Sequence, residues 1–115
     1  MENKKIEILK TAYEYIDKLI EGIKNIVEEI QEGNEYEAIV IIPNVAEGME
    51  WLINSIKLTE DIQTEPIDLD SLNQQLKELI EAFENEDYIL IGDIFNYELI
   101  PILNEFKDKI SICIK

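Results

Sequence analysis

The stretch DYILIGDIFNYELIPIL, residues 87–103, decides the fold of this chain. Its opening DYILIG and the terminal ISICIK, residues 110–115, alternate as strands do. A glycine ends the first, and Pro101 stands between them. Against the strand reading, Tyr88, Ile91, Phe95, Leu99, Ile102, Phe106, Ile110 and Cys113 recur at spacings of three and four straight through Pro101. A strand that stopped at the proline would have no reason to stay in phase with the residues beyond it. The spacing predicts a helix, kinked where Pro101 removes a backbone bond and frees the carbonyl of Tyr97.

The same test applies to residues 35–58, which begin with the strand-like EYEAIVIIP. Ala38, Ile42, Val45, Met49, Leu52, Ile53 and Ile56 form one helical stripe that passes through Pro43. This predicts a second proline-kinked helix. Residues 4–32 need no such argument. Ile6, Leu9, Tyr13, Ile16, Ile20, Ile23, Val27 and Ile30 mark an amphipathic helix roughly 43 Å long, with Gly33 as its stop. Residues 68–85 carry a fourth stripe, Leu69, Leu72, Leu76, Leu79, Ile80 and Phe83. Asp68 fits its N-cap, and Ile67 with Leu72 fits a hydrophobic staple across it. The reading is an all-α antiparallel four-helix bundle, one domain over residues 1–115, whose second and fourth helices are kinked at proline. The alternative is an α+β fold that pairs EYEAIVIIP, DYILIG and ISICIK in a small sheet.

Charge narrows the function. The chain has 26 acidic residues against 10 lysines, no arginine and a net charge of −16. Without arginine there is no bidentate fork for phosphate or guanine, and an anionic surface repels nucleic acid and acidic lipid. Neither nucleic acid nor membrane is expected as a partner. Residues 60–87 hold ten acids and only Lys77. That block reads first as a solvated face and second as an attraction for a basic partner. The single Cys113 excludes an internal disulfide and fits a reducing compartment. The longest apolar run, Ala38 to Ile42, has five residues, far below the ~20 of a membrane span. The N-terminus lacks an apolar core of signal-peptide length. These features predict a soluble cytoplasmic protein.

No catalytic signature is present. With no histidine there is no nucleophile–base pair and no histidine ligand for a bundle-core di-metal site. Around Asp68, Asp70 and Asn73, Leu72 occupies a ligand position of an EF-hand loop and Asn73 its glycine position. The scattered Gly22, Gly33, Gly48 and Gly92 cannot cradle a phosphate. We therefore expect no enzyme, no cofactor and no metal. The rival is a ligand-binding or enzymatic domain using Glu98, Glu47 or Asp93 in an inter-helix pocket.

The outer faces say more. On a wheel of 100° steps, Val40, Glu47, Trp51 and Leu58 lie opposite the core stripe of the second helix. Leu90, Asp93, Tyr97 and Ile100 lie opposite that of the fourth. Each back thus pairs an acid with an aromatic four residues on. Glu47, Trp51, Leu90, Asp93, Tyr97 and Ile100 are the candidate interaction face, since Trp and Tyr are favoured anchors. The other reading buries Trp51 and Tyr97 within one chain.

The segments EGMEWL, residues 47–52, and DIFNYELIP, residues 93–101, resemble the E-G-x-E-W-L and D-x-x-x-Y-E-L-x-P segments of an uncharacterised family of small bacterial proteins. The resemblance implies an all-helical fold and singles out Glu47, Gly48, Glu50, Trp51, Asp93, Tyr97, Glu98 and Pro101. It implies no activity. In architecture alone the chain is also similar to small acidic export chaperones. The expected function is a protein-interaction module, an adaptor or small chaperone, acting on a protein partner that the acidic block favours as basic, or on a second copy of itself as a homodimer.

Overall fold

The computed structural model describes residues 2–115, the side chain of Glu2 excepted. Helix α1 spans Glu2–Gln31, α2 spans Glu35–Leu58, and α3 spans Asp70–Glu84. The C-terminal helix is continuous in three parts: α4 (Tyr88–Asp93), a π-helical segment (Ile94–Leu99) and α5 (Ile100–Ile114). No strand occurs among the described residues, so the α+β alternative falls. EYEAIVIIP lies in α2 and ISICIK closes α5, because the three-and-four spacing of their apolar residues overrides local β-propensity.

Helix ends follow local chemistry. Gly33 adopts φ 82 after α1, and the Asn34 N–H reaches the Glu29 carbonyl at 2.8 Å, which closes a Schellman turn. The α3–α4 connection uses the same turn with a glutamate in the glycine position. Glu86 has φ 55, and the Asp87 N–H meets the Ala82 carbonyl at 2.9 Å. Asp87 then caps α4 by accepting from the Leu90 N–H. The two turns give opposed predictions. A Cβ at Gly33 would meet nothing within 4 Å, so Gly33→Ala should cost only its backbone strain, about 1 kcal/mol. Glu86→Gly should relieve a similar strain and stabilise by about 0.5–1 kcal/mol. Urea midpoints moving the same way for both variants would refute this account.

The helices alternate in direction. In α1 and α2 the neighbours of Gly22 and Gly48 run in opposite order, Val45 against Gly22, then Tyr15 and Leu19 against Gly48. Gly92 in α4 faces Ile30 near the end of α1, and Lys107 in α5 pairs with Asp17 at 2.6 Å. One contiguous core results, led by Leu9, Ile16, Ile23, Leu52, Ile56, Phe95 and Leu103.

The two prolines sit differently in their helices. Helix α2 passes through Pro43 without a break. Before Pro101 the helix widens into a π turn, with the Ile100 N–H bonded to the Phe95 carbonyl five residues back. Pro101, with no N–H, can serve neither Asn96 as a π partner nor Tyr97 as an α partner, and the π run ends there. The packing explains the extra residue. Buried Ile91, Phe95, Leu99 and Leu103 follow one another at steps of four. In an α-helix each such step drifts about 40°, and the inserted π residue absorbs about 100° of that drift. Leu103 is consequently buried where Ile102, only partly buried, was expected.

Gln63 bridges the two ends of the connection before α3. Gln63 Nε2 donates to the Ile56 carbonyl at 2.9 Å, while its Oε1 accepts from the Ile67 N–H at 3.1 Å. The expected cap shifts by one residue: α3 begins at Asp70 with Leu69 as its N-cap, because the Leu69 carbonyl accepts the first helical bond from the Asn73 N–H. Asp68 stands just before the cap, its Oδ1 accepting from the Asp70 N–H, and Ile67 and Leu72 are both buried.

Candidate functional site

Helix α3 packs on α4 and the π segment rather than closing against α2. Its rotation decides what is exposed. The predicted stripe placed Ile80 and Phe83 in the core, yet they are 59% and 42% exposed, whereas Ala82 is buried. Ala82 lies outside that stripe, and its small side chain suits the close approach of a neighbouring helix. Turning α3 toward Ala82 swings the Ile80 edge outward.

An apolar groove of about 590 Å³ is left between α2 and α3. Ile42, Pro43, Ala46, Met49 and Ile53 form one wall, and Leu76, Leu79, Ile80 and Phe83 the other. Glu50 and Glu84 are its only charged lining residues, and both are acidic. Ile42, Met49, Ile53, Leu76, Leu79, Ile80 and Phe83 belong to the stripes that the spacing assigned to the core. Ala82, a small residue outside the stripe, was the signal that the Ile80 and Phe83 edge of the stripe turns away from the packing face.

A second cleft, about 660 Å³, lies between α3 and the C-terminal helix. Leu90, Asp93 and Tyr97 of the predicted face meet here, together with Glu98, Glu78, Glu81 and Asp87. Tyr97 is 68% exposed. On the cleft wall, Gln75 Oε1 is buried without a hydrogen-bond partner. Among the described residues no three His, Cys, Asp or Glu side chains gather as metal ligands would.

The other half of the predicted face lies elsewhere. Glu47 and Trp51 line a groove between α1 and α2 with Thr11, Tyr15 and Asn44. Trp51 meets Tyr15 edge-to-face, ring centroids 5.2 Å apart, and remains 40% exposed. Ile100 is half-buried against the core. The six predicted residues therefore do not form one surface.

Two lysines tie separate elements together. Lys107 bonds Asp17, which raises its pKa, and lies 4.9 Å from the centre of the Tyr13 ring. Lys5 bonds Asp61 at 2.7 Å, tying the start of α1 to the turn after α2 and lowering the pKa of Asp61. No lysine lines any of the three grooves. No helix among the described residues is long and apolar enough to cross a membrane.

Comparison with known proteins places the chain in a family without assigning it an activity. No curated protein and no solved structure gives a significant match. A family model does match, over residues 7–109, and the chain belongs to that family, described as Domain of unknown function (DUF8042).

Proposed function

We propose that this chain is a non-enzymatic protein-interaction module, an adaptor or small chaperone working in the cytoplasm, that grips a partner through the α2–α3 groove. The observation that carries this reading is the groove's lining, apolar side chains from two helices with acids only at the rim. Contiguous exposed apolar surface tends to mark interfaces. Anchors from a partner helix in such a groove would bury Ile80 and Phe83, which the fold leaves wet. Trp51 and Tyr97 lie outside this groove, so the reading shifts the principal contact away from them.

The test compares capture from cell extract by the native chain and by Ile80→Glu, Phe83→Glu and Trp51→Ala. Both groove positions are exposed, so circular dichroism should show the fold retained. A stoichiometric protein held by the native chain and by Trp51→Ala, but released by both groove variants, supports the proposal. Capture that depends on Trp51 and ignores Ile80 and Phe83 would return the interface to the α1–α2 side.

A second reading is favoured by the partnerless Gln75 Oε1 beside five carboxylates, Glu78, Glu81, Asp87, Asp93 and Glu98. Such an acceptor-rich cleft would take a small cationic ligand. A co-purified amine that raises Tm would support that reading, and Glu78→Gln with Asp93→Asn should abolish the gain.

A further inference from the structure

We infer that the occupant of the α2–α3 groove is an amphipathic helix of about three turns whose polar face is basic. The inference rests on the interaction reading above and names the partner's chemistry. Length comes from the walls. The α2 wall runs from Ile42 to Ile53, roughly 16 Å, and the α3 wall from Leu76 to Phe83, roughly 10 Å. Anchors at i, i+4 and i+7 on a partner helix span roughly 10 Å, which these walls match.

The partner's sign comes from charge complementarity. Both charged lining residues, Glu50 and Glu84, are acidic. Helix α3 also lies within the block of residues 60–87, which carries ten acids and one lysine. Lysines or arginines flanking the partner's apolar anchors would meet this rim, whereas acids there would be repelled. The same charge argues against a second copy of this chain. Two molecules at −16 joined groove to groove would press two acidic rims together as the apolar contact formed.

The probe is a designed helical peptide of about four turns, a length chosen to overhang the groove. Leucines stand at i, i+4 and i+7, in three versions: lysine on the polar face, glutamate on the polar face, and the lysine composition scrambled. Titration of the full chain at about 0.15 M salt, where surface charges are well screened, is followed by isothermal calorimetry and methyl NMR. The lysine helix should bind at least about tenfold tighter than either control. Its largest shifts should fall on Ile42, Met49, Ile53 and Ile80. Ile80→Glu and Phe83→Glu should each weaken binding about tenfold or more, with circular dichroism unchanged.

Equal binding of the scrambled peptide would reduce the effect to bulk charge and overturn the inference. So would equal binding of the glutamate helix, or shifts confined to the Tyr97 cleft. A dimer seen by light scattering that groove variants dissolve would make the occupant a second copy and overturn it too. Should the glutamate helix bind as well while partner capture still requires Ile80 and Phe83, the interaction reading stands and only the basic helix falls. Failure of every peptide, together with capture indifferent to both groove variants, removes both.

Discussion

Replacing Phe95 by alanine should lower the unfolding free energy by about 3–5 kcal/mol. Phe95 is 1% exposed and sits in the π segment, where the C-terminal helix meets both α1 and α3. Its removal loses the transfer energy of a buried ring and leaves a cavity in a place with little freedom to collapse. The π turn is held by the bond from the Ile100 N–H to the Phe95 carbonyl, and Pro101 fixes the backbone just beyond. Domains of this size are stable by only about 5–15 kcal/mol, so the variant should be close to unfolding at ambient temperature. Urea denaturation followed by far-UV circular dichroism measures the loss. Phe83→Ala is the control: the same truncation at a ring 42% exposed in the groove should cost about 1 kcal/mol or less. Similar losses at both positions would mean that α3 closes on α2 in solution and that no groove exists.

The second large effect is expected at Gly48. A Cβ there would stand 2.5 Å from Tyr15 Oη and 2.6 Å from Leu19 Cδ2. Leu19 is 3% exposed and has nowhere to retreat, while Tyr15 can swing away only by leaving Trp51. Gly48→Ala gains about 1 kcal/mol of helix propensity against an overpacking cost of about 1–3 kcal/mol. A net loss of about 1 kcal/mol should remain, with a change in Trp51 fluorescence as its ring partner moves. Gly48→Leu puts a whole side chain into the α1–α2 contact and should cost about 3 kcal/mol or more. Gly92→Ala is the counterpart. Its nearest neighbour would be Ile30 Cγ2 at 3.6 Å, an ordinary contact, so propensity should prevail and stability rise by up to about 1 kcal/mol. If both alanines moved Tm the same way, helix approach would not be what requires glycine at 48.

Much of the architecture is legible because helical phase is a local property. Spacings of three and four through Pro43 and Pro101 outweigh the β-branched runs that surround them. Gly33 announces the end of α1 through backbone chemistry that needs no distant partner, and Asp68 marks the start of α3 to within a residue. The π turn is partly legible in retrospect. Three consecutive steps of four, Ile91 to Phe95 to Leu99 to Leu103, drift too far for an unbroken α-helix. A proline kink is the simpler reading because the stripe through Ile102 also keeps phase.

The candidate site was less legible, for a physical reason. A hydrophobic stripe states that a face prefers apolar surroundings, and says nothing about which neighbour supplies them. Ile80 and Phe83 carry the same signal as Leu72, which is fully buried. Their exposure follows from where α3 is held, by Gln63 and the Asp68 turn at one end and the Glu86 turn at the other. Likewise Trp51 and Tyr97 share an acid-and-aromatic pattern, but the order of packing around α1 sends them to separate grooves.

By itself, then, the sequence marked four helical stripes that favour an all-α chain over a sheet, the stop of α1 at Gly33, and a strongly acidic surface. These are consequences of periodicity, capping and charge, each readable over a few turns. Only the tertiary structure decided that α3 leans on the C-terminal helix through Ala82, that α2 and α3 stand apart, and that the π turn rephases the last helix. Each of those depends on how helices distant in sequence rotate about their axes, and rotation is set by the mutual fit of side chains rather than by the pattern along any one of them.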